Sequence, residues 1–163
     1  MTQFNPKEYK VVVLRECPMA SRDCSTPEQA AAYFREHITT HPYFNPDVEC
    51  FVVLMLNTRR KIKGHNLIST GTLDTILVHP REVFRAPIVS ASAAIILMHN
   101  HPSGDPSPSE ADIKVTRDLI RAGQLLKIEV LDHVVIGQVP SAPDSSGSAR
   151  DGFVSLRALG YFY

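Results

Sequence analysis

The stretch of chain with the most chemistry in it runs from His99 to Asp112 and directly follows a buried apolar strand. Side chains alternate faces along a strand, so His99 and His101 project from the same side of its end. Asp112 lies eleven residues after His101, in the first turn of the next helix, and the Pro, Gly and Ser residues between them let the chain reverse. Zinc accepts imidazole and carboxylate ligands, and three protein ligands leave a fourth position for water. The spacing therefore predicts one zinc ion per chain at a catalytic-type site.

A hydrolytic site of this type also needs a general base and a group that stabilises an oxyanion. Glu49 is the best candidate for the base, because it opens an otherwise apolar strand on the same face as Phe51, where desolvation raises the pKa of a carboxyl group. Ser109, one helical turn before Asp112, is placed to stabilise the oxyanion. Two structural alternatives stay open: Ser109 can be the N-cap of a capping box with Asp112, and Glu49 can be a strand-edge residue facing water.

Other polar residues near this stretch also allow two interpretations. Asp105 can position a substrate or make a turn with Gly104, and the turn is the favoured interpretation. The adjacent Asp132 and His133 resemble a carboxylate–histidine pair that supports a metal ligand, but they can equally form a structural hydrogen bond.

The elements that must position these residues alternate between strands and helices, which predicts an α/β (α+β) fold with a mixed central sheet flanked by helices. Strands are predicted at 9–14, 48–56, 61–70, 93–98 and 127–137. Helices are predicted after a capping box at Thr26 to Gln29, at 80–89 with a kink or an early end at Pro87, and at 109–122 with Gly123 as the C-cap. A flexible loop is expected at 140–152, followed by a short helix that packs back.

The spacing His99-x-His101, seven residues, Ser109, two residues, Asp112 resembles the JAMM motif of the JAB/MPN metallopeptidases. The fuller string HNHPSGDPSPSEAD resembles the RadC-like branch of that family. So do STGT at 69–72, HPREVF at 79–84 and LDHVVIG at 131–137. The resemblance covers about 48–137 and implies a JAB/MPN-like, cytidine-deaminase-like fold.

The resemblance also implies roles for individual residues. It places a zinc ion on His99, His101 and Asp112, an acid/base glutamate at Glu49 and an oxyanion-stabilising serine at Ser109. Glu82 is the rival for the glutamate, although it lies in a predicted helix that the motif would not use.

The resemblance further divides the chain into an N-terminal strand and helix extension (1–47), a metallohydrolase core (48–137), and a flexible loop with a C-terminal packing segment (138–163). RadC-like proteins often carry an N-terminal helix-hairpin-helix DNA-binding module, which residues 1–47 do not resemble.

Composition limits the remaining functions. The 163 residues carry 17 Lys plus Arg and 17 Asp plus Glu, so a nucleic-acid binder that works by charge alone is disfavoured. The sequence shows no membrane-spanning run and no signal peptide. Its three cysteines lack CxxC spacing, which suits a reducing compartment such as the cytoplasm.

The expected function is that of a zinc-dependent peptide or isopeptide hydrolase acting on a peptide or protein substrate. The alternatives are a non-catalytic MPN-type scaffold or an accessory protein of DNA repair or recombination, for which the basic segment 59–63 is the only local support. The sequence leaves a homo-oligomer open.

Overall fold

The computed structural model describes residues 22–71, 78–139 and 152–162. The helices are α1 (Pro27–Tyr33), which continues into a π-helical turn (Phe34–Ile38), α2 (Pro80–Val89) and α3 (Glu110–Leu126). The strands are β1 (Cys50–Leu56), β2 (Ile62–Thr70), β3 (Ala94–Asn100), β4 (Glu129–Ile136) and β5 (Phe153–Ser155). They form one sheet in the order β2-β1-β3-β4-β5, in which only the β3–β4 pair is parallel. The predicted mixed α/β fold is confirmed.

The sheet carries an apolar core on each face. Alternation along β1 sends Val52 and Leu54 to the face covered by α1, and sends Phe51 and Val53 to the face covered by α2 and α3. All seven residues of β1 and of β3 are buried. Strands that are covered on both faces read as continuous apolar runs, which is why both were recognisable in the sequence.

The helix α1 begins as predicted. Thr26 accepts a hydrogen bond from the backbone N–H of Gln29, and the Gln29 side chain accepts one from the backbone of Thr26, which completes the capping box. Pro27 occupies the first turn, where a missing N–H costs nothing. The cap fixes where the helix starts and thereby which of its residues reach the sheet.

The helix α3 connects the parallel strands β3 and β4 and covers the sheet face on which His99 lies. It is longer than predicted, because Gly123 is not its C-cap: the helix runs on to Leu126 and ends at Lys127 in the left-handed conformation. Gly123 is needed for packing instead. A Cβ atom there would lie 2.5 Å from the carbonyl oxygen of Ile128, so only glycine lets α3 approach the start of β4 this closely.

Two other expectations differ from the structure, namely the early end of α2 at Pro87 and the C-terminal helix. Pro87 does not end α2, which continues to Val89, because the proline lies near the end of the helix and Ser90 still bonds to the carbonyl of Ala86. The C-terminal segment does not form the predicted helix; Phe153–Ser155 pairs with the open edge of β4, whose unpaired backbone groups favour a strand there.

The predicted strand at 9–14 and most of the predicted loop at 140–152 lie outside the described residues. Among the helices that are described, none combines the length and apolarity needed to cross a bilayer.

Replacing Gly123 by alanine should destabilise the protein, although the same change in an exposed helix stabilises it by about 1 kcal/mol. The added methyl group meets backbone that cannot move aside, and overpacking of this kind costs about 1–3 kcal/mol. Urea unfolding of Gly123→Ala and of the control Gln124→Ala, at the exposed neighbouring position, measures the difference. Equal stability of the two variants would show that α3 does not pack as closely as described.

The buried thiols should resist alkylation in the folded protein. Burial raises the pKa of Cys24 to about 11, so its nucleophilic thiolate is scarce at pH values near 8. Burial also raises the pKa of Cys50, which is fully enclosed. Iodoacetamide labelling followed by peptide mass spectrometry should modify both residues only after the protein is unfolded in guanidinium. Rapid labelling of either residue in the native protein would contradict the packing of β1 and of the segment before α1.

Candidate metal centre

The three predicted metal ligands meet at one point, with a ligand atom of each within 4.8 Å of the others. The Nε2 atoms of His99 and His101 are 2.9 Å apart. The Asp112 carboxylate lies beside both, with Oδ1 3.2 Å from His99 Nε2 and Oδ2 3.4 Å from His101 Nε2. His99 is fully buried and Asp112 is nearly so, whereas the His101 side chain keeps 12% of its surface exposed. The cluster is therefore open to solvent on the His101 side.

The cluster fits a zinc ion by its chemistry and its spacing. Zinc bonds to nitrogen and carboxylate oxygen are about 2.0–2.2 Å, so neighbouring ligands of a tetrahedral ion are separated by about 3.3–3.6 Å. The ligand atoms here differ from that by only a few tenths of an ångström. Two imidazole nitrogens that face each other at 2.9 Å beside a carboxylate also need a shared cation, which a metal ion or a proton can provide.

Asp112 is presented by the N-terminus of α3. Ser109 is the N-cap: its hydroxyl oxygen accepts a hydrogen bond from the backbone N–H of Asp112. In return, Asp112 Oδ2 accepts hydrogen bonds from the backbone N–H and the hydroxyl of Ser109, each at 2.7 Å. The structure thus shows the capping box between these two residues.

The capping box leaves Asp112 Oδ1 facing His99. Burial raises the pKa of the Asp112 carboxyl group, but the adjoining His101 and His99 side chains and the hydrogen bond from Ser109 together outweigh it and hold that pKa well below its usual range. The carboxylate is consequently anionic and ready to bind a cation.

His101 is oriented by the loop that follows β3. Its Nδ1 lies 2.8 Å from the carbonyl oxygen of Asp105, so Nδ1–H donates there and Nε2 is left for a metal. The loop is held in turn by β4: Gln138 N–H donates to the carbonyl of Gly104, and a Cβ atom on Gly137 would lie 2.3 Å from that oxygen. Burial lowers the pKa of His101, but the Asp112 carboxylate, the Asp105 carbonyl and the Glu49 carboxylate together outweigh it, and the net shift is upward.

His99 is fixed from inside the protein. Its ring stacks near-parallel on Phe51, with the ring centroids 6.1 Å apart. Its Nδ1 lies 2.8 Å from Nε2 of His133 on β4, and His133 Nδ1 lies 2.6 Å from the hydroxyl of Thr116 on α3. Complete burial holds the pKa of His133 well below the usual value for histidine, so this ring is neutral.

Glu49 lies next to the cluster, with its Oε1 4.0 Å from His101 Nε2 and its side chain 18% exposed. Its backbone is held by Asn100, which lies between the two histidines and faces the other way. The Asn100 side-chain amide donates to the carbonyl of Val48 at 3.0 Å and accepts from the N–H of Cys50 at 2.9 Å. Because these two residues flank Glu49, the amide fixes the start of β1 relative to the histidine pair.

The remaining candidates have structural roles. Asp105 makes a turn in which its carboxylate accepts from the N–H of Ser107, in line with the favoured interpretation. The Asp132 carboxylate does not bond to the His133 ring; it accepts hydrogen bonds from the backbone N–H of His133, from the hydroxyl of Ser155 and from the N–H of Arg157. It therefore ties the C-terminal segment to β4. The rival Glu82 forms a 2.8 Å ion pair with Arg85 on α2.

Sequence reasoning missed Asn100 and Thr116 and did not connect His133 with His99. Thr116 was detectable in principle, because it lies four residues after Asp112 and so shares its face of the helix. Nothing in the sequence connects His133 to His99, since their contact depends on how β3 and β4 pair across the intervening helix.

Replacing Asn100 by alanine should destabilise the protein by about 1–3 kcal/mol, because a buried N–H and a partly buried carbonyl lose their partners. Urea unfolding compares this variant with Asn66→Ala on β2, whose side chain makes no hydrogen bond to the described residues. If both variants lost the same stability, the Asn100 amide would not be what holds the start of β1.

Comparison with known proteins agrees with this geometry. The RadC-like JAB domain family profile matches residues 24–150, which is most of the chain. A UPF0758 protein of Shouchella clausii is 40% identical over 151 residues, covering 92% of this chain and 58% of that protein.

Two further relatives cover less of this chain. A UPF0758 protein of Caldanaerobacter subterraneus subsp. tengcongensis is 49% identical over 114 residues, or 70% of this chain and 44% of that protein. One of Moorella thermoacetica is 56% identical over 91 residues, or 56% of this chain and 40% of that protein. The chain thus spans about half the length of these relatives. With the matched fold and the His-His-Asp cluster inside the matched region, the chain belongs to the RadC-like JAB domain family.

Proposed function

We propose that this chain is a zinc-dependent metallohydrolase that cleaves peptide or isopeptide bonds. The observation that carries the proposal is the convergence of His99, His101 and Asp112, whose ligand atoms lie within 4.8 Å of one another beside a fourth acidic side chain, Glu49. Three protein ligands are the number found at catalytic zinc sites, whereas structural sites are closed by four. The JAB family match supports the same conclusion.

In this proposal His99, His101 and Asp112 hold the ion. A bound zinc ion acts as a Lewis acid that lowers the pKa of water to about 7 and polarises a carbonyl group. Glu49 then has the part of the general base: it lies on the partly exposed side of the cluster, where it can accept a proton at Oε1 and return it to the leaving amine. The Asn100 amide keeps it in reach by holding the backbone on both sides of it.

Ser109 is proposed to donate a hydrogen bond to the developing oxyanion, a role that competes with its part in the capping box. Its hydroxyl proton is donated to Asp112 Oδ2, while its oxygen accepts the helix N–H. Only the first of these bonds has to be released for the hydroxyl to turn toward a substrate. Ser109 can thus stay the N-cap of α3 while it acts on the oxyanion.

A nucleic-acid partner is the weaker candidate, because three of the four basic residues in the segment 59–63 are already paired. Arg60 forms an ion pair with Glu129 at 3.1 Å, and Lys61 forms one with Asp23 at 3.4 Å. Lys63 donates to the carbonyl of Ser90 at the end of α2. The cytoplasmic location belongs to the proposal as well; the free thiols of Cys24 and Cys50 support a reducing compartment.

The first test is metal content per chain, measured by elemental analysis for the wild type, His99→Ala, Asp112→Ala and Glu49→Gln. We expect about one zinc ion per chain in the wild type and in Glu49→Gln. Glu49 is not one of the three proposed ligands, and the fourth ligand position is left to water, so its replacement should not remove the ion. The two ligand variants should lose the ion, and circular dichroism verifies that each of them is folded.

Activity is then measured on a library of peptide and isopeptide-linked fluorogenic substrates. Glu49→Gln should retain zinc but lose hydrolysis by about 10²–10⁴-fold, the usual contribution of a general base. Glu82→Gln is the matched control and should hydrolyse as the wild type does. A folded wild type that cannot be loaded with zinc would refute the enzyme proposal and favour a scaffold function, and unchanged activity in Glu49→Gln would refute the mechanism.

A further inference from the structure

We infer that a buried chain of hydrogen bonds, running from the backbone carbonyl of Asp112 through Thr116 and His133, holds His99 with its proton on Nδ1 before any metal arrives. Thr116 and His133 are then positioning residues of the metal centre, although neither touches the ion. The inference rests on the proposed function only in that His99 is taken as a metal ligand through Nε2.

The chain consists of three short contacts, one with a backbone carbonyl and two between fully buried side chains. The hydroxyl of Thr116 lies 2.6 Å from the carbonyl oxygen of Asp112 and 2.6 Å from Nδ1 of His133. His133 Nε2 lies 2.8 Å from Nδ1 of His99. His99, Thr116 and His133 expose no surface, so water does not supply an alternative partner for any of these atoms.

The donor in each of these hydrogen bonds can be assigned by starting from the backbone carbonyl of Asp112. A carbonyl oxygen only accepts, so the single hydroxyl proton of Thr116 is donated to Asp112. The threonine oxygen is then an acceptor toward His133, whose Nδ1 must carry a proton to donate. A buried neutral imidazole has only one N–H, which leaves His133 Nε2 bare. His99 Nδ1 must therefore carry the proton that fills this contact, and His99 Nε2 is bare and faces His101 and Asp112.

The neutral state of the His133 ring also follows from its surroundings. The ring packs edge-on against Phe51, and the partners of its two nitrogen atoms are Thr116 and His99. Of the carboxylates nearby, Asp132 is occupied by Ser155 and by backbone N–H groups, and Asp112 faces His99 and His101 and does not bond to the His133 ring. A charge on a fully buried ring without a carboxylate partner would carry a large desolvation cost.

The consequence is that α3, which carries Asp112, also links Asp112 to the second proposed ligand, His99. Thr116 lies one turn along α3 from Asp112, so the carbonyl that starts the chain belongs to the residue whose carboxylate is itself a ligand. Any shift of α3 would move the carboxylate and break the hydrogen bond that sets the tautomer of His99. Because the tautomer is set beforehand, His99 can bind a metal without first moving a proton.

The test measures histidine tautomers in the metal-free protein by long-range ¹H–¹⁵N correlation after ¹⁵N-histidine labelling, at a pH above the value of about 6.5 for free histidine. We expect the proton of His133 on Nδ1, with Nε2 bare, and a proton on Nδ1 of His99. A proton on Nε2 of His133 would overturn the inference. This measurement needs neither a variant nor a metal. The inference can therefore be refuted while the proposed function stands, and it can be confirmed even if the wild type proves unable to bind zinc.

A second readout uses variants. Thr116→Val keeps the shape of the side chain but removes the hydroxyl, and should release the tautomer of His133 and lower zinc affinity by about 10–100-fold in a chelator competition assay. Thr116→Ser keeps the hydroxyl and should restore both. Thr39→Val is the matched control, because the Thr39 hydroxyl also donates to the carbonyl four residues earlier, at 2.6 Å, outside the metal centre. Wild-type zinc affinity in a folded Thr116→Val would contradict the inference.

Discussion

The carboxylate of Asp112 is the group on which the rest of the site depends. It accepts the two hydrogen bonds that complete the N-terminal cap of α3, and it lies within 3.4 Å of the Nε2 atoms of both histidines. The same atoms therefore start the helix and complete the ligand set. A helix N-terminus favours an anion, so the electrostatic field of α3 and the demand of the histidine pair act in the same direction. Helix formation and ligand presentation are consequently one event.

This arrangement requires β3, α3 and β4 to form a parallel crossover. The strand β3 carries His99 at its carboxyl end, α3 returns across the sheet face on which that side chain lies, and β4 runs alongside with Leu97 opposite His133. The close approach of α3 to β4 depends on the missing side chain of Gly123. Only this packing brings Thr116 and His133 together behind His99. The supporting contacts therefore arise from the same crossover that builds the core.

The two histidine ligands are held by different means. His99 is fully enclosed and is oriented by side chains of the core, whereas His101 is oriented by a backbone carbonyl of the loop after β3 and stays partly exposed. Asn100, between them, faces the opposite side of the sheet and holds the start of β1. Alternation along a single strand thus divides three consecutive residues between ligand binding and the support of Glu49.

The sequence by itself determined most of the elements and the residues of the candidate metal centre. Buried strands read as apolar runs, capping residues mark the starts of α1 and α3, and His99, His101 and Asp112 lie close along the chain, so local rules were sufficient to predict that they could meet. The capping box between Ser109 and Asp112 was visible for the same reason.

Only the tertiary structure decided what depends on packing between distant segments. The length of α3 beyond Gly123, the strand formed by Phe153–Ser155, and the contact between His99 and His133 all arise where one element meets another. In each case the partner lies on another element, and the energy of burial or of pairing a free backbone edge overrides the local preference. The sequence therefore predicts the ligands of the site, and the folded chain decides how firmly and in which protonation pattern they are held.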